Sequence, residues 1–276
     1  TDLTGSASEI TTLLDNEANS GNAVNLGGTF TVTVSTGSYT ASALNSLNDS
    51  TTGLITATAV TNITGTAAQI NTLVGNEGSS GNKIDLDTDY TASISDTDLD
   101  ASVLNTLNGN VPGLVTATTI TNITGTAAAM ATLMGNEGTS GNKVDLNGTF
   151  TATVDAGSVA AADLNTISAK TTGSITATSV TTITGTAADI NTLVNDEADS
   201  GNGVNLDSNF IVTVSSGSAS AAHLNTINSE TTGLVTATAV STLTGTAAQI
   251  NTLIGNEGSS GDKVDLATNV AVTIDT

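Results

Sequence analysis

Asp85, Asp87 and Asp89 alternate along the chain, and Asp96, Asp98 and Asp100 repeat the arrangement shortly after. Alternate residues of an extended segment project to one side, so each run sets three carboxylates along one edge, within reach of Glu77. Hard oxygen donors at this density suit calcium. Asp85, Asp87, Asp89 and Glu77 are therefore a candidate calcium site. Neither run has the glycine and distal glutamate of an EF-hand, nor the GGxGxD nonapeptide of calcium β-rolls. The pattern also thins at equivalent places along a repeating chain. Asp85 becomes Asn25, Asp145, Asn205 and Asp265, and Asp87 becomes Gly27, Asn147, Asp207 and Ala267. A solvated acidic edge is the competing expectation.

Acid–base and nucleophilic chemistry have less to work with. His223 is the sole imidazole, and Ala43, Val103 and Asp163 fill the equivalent positions, so a general base there serves one copy only. A Ser or Thr without a His or Lys beside it is not activated as a nucleophile, which points away from an enzyme. Gly75 to Lys83 superficially matches a phosphate-binding loop, but Asn82 separates the last glycine from Lys83 and a strand is expected next. Turn chemistry accounts for that segment.

The composition narrows the partners. Twenty-six acidic residues against four basic ones give a formal charge of -22, which repels phosphate backbones and anionic lipid headgroups. Nucleic acid is excluded as a direct partner. No apolar run approaches the roughly 18 residues of a membrane span. Absence of Cys removes disulfides and thiolate metal sites and leaves the redox compartment open.

Gly5, Gly65, Gly125, Gly185 and Gly245 share one local setting at a strict period of sixty residues. GTAAQINTL at 65–73 recurs unchanged at 245–253, and TTGLITATAV at 51–60 returns at 231–240 with Val235 in place of Ile55. The chain reads as a single continuous array without separate domains, with copies at 1–60, 61–120, 121–180 and 181–240 and a partial copy at 241–276. Both ends cut through a copy, and the sealing caps of a finished solenoid are not visible.

Each copy divides into halves around Leu44-Asn45-Ser46-Leu47 and Ile70-Asn71-Thr72-Leu73, at spacings alternating between 26 and 34 residues. Ile70, Leu73 and Val74 share a helical face, and Thr66 to Gln69 has capping-box spacing, so a helix of two to three turns is expected, with Gly75 as a left-handed C-terminal cap. Thr-rich and Val-rich alternation, as in Phe30–Val34 and Thr56–Val60, predicts strands before the helices. Phe30, Tyr90, Phe150, Phe210 and Val270 fall at one phase of the period and are expected to form an apolar ladder in the core, or else a stacking platform for a ligand. The Asn at 45, 71, 105, 165, 191, 225 and 251 is expected to tie neighbouring backbones together. Glu17, Glu77, Glu137, Glu197 and Glu257 recur in every copy, and Lys83, Lys143 and Lys263 in three, so a Glu-to-Lys tie across the loop or between copies is expected.

Thr-x-Thr triplets at 31–33, 56–58, 116–118, 151–153, 176–178 and 236–238 suggest a face able to order water or ice, provided the two halves present them on one face. Asn62-Ile63-Thr64 and Asn147-Gly148-Thr149 match the glycosylation sequon.

ASVLNTLN at 101–108, TTGLVTATAV at 231–240, SGNKVDL at 140–146 and a variant of TGTAAxINTLVGNEG ending at 197 resemble, over essentially the whole chain, the repeats of giant, swimming-associated cell-surface proteins of marine cyanobacteria. The resemblance implies an extracellular, surface-attached protein of great length and brings no catalytic residues.

The fold expected from the residues is an α/β repeat solenoid of strand-rich coils of about thirty residues, each with a short helix. In this geometry the helices of successive coils are displaced around the coil, because strands stack at ~4.8 Å and helices need ~10 Å. One continuous sheet covered on one face by short helices is the alternative. The expected function is a structural rod or fibre. A calcium-stiffened adhesin or self-associating filament is a further expectation, with neighbouring repeats of the same or another chain as partners.

Overall fold

The structure, a computed structural model, describes residues 1–18, 26–197 and 203–275; Asn25 and the Glu17 side chain, both named above, lie outside the described set. It is an α/β fold in which short parallel strands precede one helix in every half-repeat. The helices are α1 (Ala7–Ala18), α2 (Ala41–Ser50), α3 (Ala67–Gly75), α4 (Ala101–Asn110), α5 (Ala127–Gly135), α6 (Ala161–Ser168), α7 (Ala187–Glu197), α8 (Ala221–Glu230) and α9 (Ala247–Gly255).

Local sequence explains their starts. The Thr66 hydroxyl accepts from the Gln69 N–H, and the Gln69 side chain accepts from the Thr66 N–H, completing the expected capping box; Thr246 and Gln249 repeat it. Ser6 and Glu9 do the same for α1, and hydrogen bonds from the Ser6 backbone first and its hydroxyl second hold the exposed Glu9 carboxyl below its usual range. A helix of nine residues does not stand alone in water, so its apolar face must pack. Ala67, Ile70 and Leu73 bury that face in α3, as Ala101, Leu104 and Leu107 do in α4.

The C-terminal cap differs from expectation. Gly75, Gly135 and Gly255 close their helices without positive φ, and α3 ends instead on the Asn76 N–H donating to the Leu73 carbonyl at 3.0 Å. The left-handed turn comes later, at Gly81 with φ 69°, where Lys83 N–H donates to the Gly81 carbonyl. A Cβ added at Gly75 meets nothing within 4 Å. Gly75→Ala is therefore expected to raise stability by ~0.5 to 1 kcal/mol, measured by urea titration, and an equal loss would restore a cap role to that glycine.

The described residues form two compact units, Thr1–Thr121 with Asn136–Asn147, and Asn122–Gly135 with Gly148–Thr276. In the first, Asp2–Gly5, Thr31–Val34, Ile55–Ala57 and Ile84–Leu86 make one sheet, while Gly37–Thr40, Val60–Gly65, Thr91–Ile94, Val115–Ala117 and Val144–Leu146 make another. In the second, Asn122–Gly125, Thr151–Val154, Ile175–Ala177 and Val204–Leu206 pair in succession. Gly157–Ala160, Val180–Gly185, Ile211–Val214, Val235–Ala237 and Val264–Leu266 form a further sheet there, and Gly217–Ser220, Val240–Gly245 and Ala271–Ile274 a three-stranded one. Every pairing named is parallel.

Neighbouring strands come from successive half-repeats. Ser38 stands opposite Asn62, Asn62 opposite Thr91, and Ala92 opposite Val115. The strands thus part into several sheets, and the single continuous sheet is not what forms. The stretch Thr56–Val60 is not one strand either: Ile55–Ala57 and Val60–Gly65 belong to different sheets. At the equivalent corner, the Ile120 N–H donates to the Ala117 carbonyl at 3.1 Å, closing a turn that alternation alone does not reveal.

Helix placement also departs from expectation. Each helix packs on the next within its unit, α1 through α4 and α5 through α9, with no displacement around the coil. The accommodation lies in the strands. Two pairing steps carry Ser38 to Asn62 and then to Thr91, seven residues short of a full sixty-residue copy. A copy therefore advances two strand spacings across a sheet, ~10 Å, and seven residues along it, ~23 Å. That oblique step leaves room for two helices at ~8 to 10 Å each.

Candidate functional site

The acidic runs divide. Asp85 lies half-buried in the strand Ile84–Leu86, opposite Thr56, and Glu77 bridges to Ile84 beside it. Asp87 accepts from the N–H of its neighbour Thr88 at 2.6 Å, and Asp89 is exposed. Among the described residues, no three His, Cys, Asp or Glu side chains gather into a metal-holding group. The four candidate residues follow an edge and do not close around a point. The second run serves helix ends, a role the sequence reading missed. Asp96 Oδ2 accepts from the Ala67 N–H of α3 at 2.8 Å, and Asp100 accepts from the Ser102 N–H as the cap of α4 at 2.8 Å. Carboxylates at helix N-termini satisfy free N–H groups and the helix dipole together.

His223 is half-buried on α8. Lys83 follows the Gly81 turn and precedes a strand, as expected, and its alkyl stem lies over Gly78, where an added Cβ would stand 3.2 Å from Lys83 Cγ. Lys143 over Gly138 and Lys263 over Gly258 repeat this packing. A cleft of about 120 Å³ lined by Thr126, Asp155, Ser158 and Asp163 brings two carboxylates together with hydroxyls.

A recurring clasp was hidden in the TTG phrase. The buried Thr51 hydroxyl donates to the Phe30 carbonyl at 2.5 Å and accepts from the Gly53 N–H at 3.0 Å. Thr171 with Gly173 holds Phe150 in the same way, and Thr231 with Gly233 holds Phe210. Where Val111 replaces the threonine, the Gly113 N–H donates directly to the Tyr90 carbonyl at 3.1 Å. The aromatic rings are buried, as the core reading expects. Phe30 and Tyr90 precede strands of different sheets, as do Phe150 and Phe210, so the rings do not form one strand-to-strand ladder. Burial first and the Glu77 charge second push the Tyr90 hydroxyl up to about 12.

The asparagines tie helices as expected. Asn45 Nδ2 donates to the Gln69 carbonyl at 3.0 Å, Asn165 to Asp189 at 2.9 Å and Asn225 to Gln249 at 2.9 Å. In the sequon at Asn62, the amide donates to Ser38 and accepts from Thr91 and Ser93.

Burial first, and the Glu230 charge as well, raise the Glu197 carboxyl above its usual range, against a lowering hydrogen bond from the Leu206 backbone. A carboxyl so raised binds its proton more tightly in the folded chain, so its contribution to stability falls as pH rises through the carboxylate range. Glu230→Gln removes one repulsive charge. It is expected to raise the melting temperature at neutral pH, with the gain vanishing below about pH 4. A gain equal at both pH values would contradict the repulsion.

No known family model, no curated protein and no solved structure matches the chain. No helix among the described residues is long and apolar enough to cross a membrane.

Proposed function

We propose that this chain is a non-enzymatic, extracellular structural segment, an α/β solenoid that lengthens a rod or fibre on a cell surface. The supporting observation is the in-register parallel pairing of successive half-repeats with equivalent residues facing inward, as in Val32, Ile55 and Ile84, or Ala92, Val115 and Val144. A coil whose partners are copies of itself can be repeated without limit. Resemblance to the cyanobacterial surface repeats supports the extracellular setting. The net charge of -22 favours solubility, and marine ionic strength screens its self-repulsion over ~3 to 8 Å.

The rod holds its fold without metal, its scattered acidic residues serving caps and solubility. A circular-dichroism melt in roughly half-molar NaCl, with calcium and then with chelator, separates this reading from the stiffened adhesin. One site saturated at 100 times its dissociation constant adds ~2.7 kcal/mol. An unchanged midpoint is expected, and a rise of many degrees with calcium would favour the adhesin. With only four Lys and no Arg, the folded segment is also expected to survive trypsin, and rapid cleavage at Lys83, Lys143 or Lys263 would argue against a durable rod. Oligomer size that grows with protein concentration would favour the self-associating filament.

A further inference from the structure

The outer faces of the sheets carry hydroxyls in register. Thr33 stands opposite Thr56, Thr153 opposite Thr176, and Thr213 opposite Thr236. Triplets from the two halves of a copy therefore share one face, which their spacing from the helices did not reveal. The rows continue to Thr4 beside Thr33 and to Thr124 beside Thr153. Along each strand the intervening residues, such as Val32, Ala152 and Val212, are buried, so the threonines hold the solvent side.

Their hydrogen bonding sets these residues apart. On the helices, Thr72, Thr132 and Thr192 donate to the carbonyl four residues earlier at 2.9 to 3.0 Å. None of the six paired sheet threonines has a hydroxyl partner among the described residues, so each hydroxyl is left to water. Strand pairing spaces them at ~4.8 Å across the sheet, and alternate residues lie ~6.8 Å apart along it. Both repeats approach oxygen spacings in the lattice of ice. A β-branched side chain is stiff at χ1, so methyl and hydroxyl are presented in fixed order.

We propose that these threonine rows bind ice, holding a layer of water in register with the growing crystal. The activity belongs to each sheet face and does not depend on the rod-forming role. The test is thermal hysteresis and incorporation into growing ice by the whole segment. Beside it are tested Thr153→Lys with Thr213→Lys, both exposed on the sheet face, and a charge-matched control, Thr72→Lys with Thr252→Lys, both exposed on helices. Circular dichroism checks that all three fold. The segment and the helix control are expected to shape ice and depress its growth temperature, and the sheet variant is expected to lose at least several-fold of that depression. Absence of hysteresis in the parent segment would overturn the proposal. So would an undiminished effect in the sheet variant, or an equal loss in the helix control.

Discussion

Replacing Gly173 by Ala is expected to lower stability by about 3 kcal/mol, a large fraction of what a domain has. The added Cβ would stand 2.1 Å from the Phe150 carbonyl oxygen and 2.7 Å from its carbon. Both are backbone atoms of a strand-leading residue and cannot swing aside. Moving them also breaks the Thr171 hydroxyl bond to Phe150 and the Gly173 N–H bond to Thr171. The same substitution at Gly75 is expected to stabilise, so one chemical change has opposite signs at two positions of the repeat. A loss under about 1 kcal/mol at Gly173 would show that the clasp yields freely.

Phe150→Ala is expected to cost ~3 to 5 kcal/mol, from lost burial and the cavity left behind. The ring is 1% exposed, so little of it is available to a ligand. Repeat proteins open in parts, so hydrogen exchange of the strand Thr151–Val154 is the most local readout, and its protection should fall most. A cost under about 1 kcal/mol, with protection intact, would return the ring to the role of a ligand platform. Gly173 and Phe150 belong to one clasp, so their double variant should lose less than the sum of the single changes.

Much of the architecture was legible. The sixty-residue period, the capping box at Thr66 and Gln69, and the inward alternation of Val32 and Val34 follow from local rules and appear as expected. What escaped depends on residues brought together by pairing steps of 23 to 29 residues. Thr51 reads as one of many threonines until register sets it against Phe30. Asp96 reads as a metal ligand until the chain returns to the end of α3. The turn after Ala57 was invisible because Thr58 and Ala59 continue the alternation of the strand. Helix stagger was inferred from strand stacking alone, and the seven-residue slip between copies supplied the room by another route.

The central claim is that copies add end to end by an oblique step set by helix packing. Small-angle scattering on the segment, and on a version carrying residues 61–120 twice, measures that step. The maximum dimension should grow by roughly 16 to 20 Å per added copy, two helices at ~8 to 10 Å each, with the cross-section unchanged. Growth near 10 Å would mean simple strand stacking with displaced helices, and a wider cross-section at constant length would mean that the copies do not form a rod.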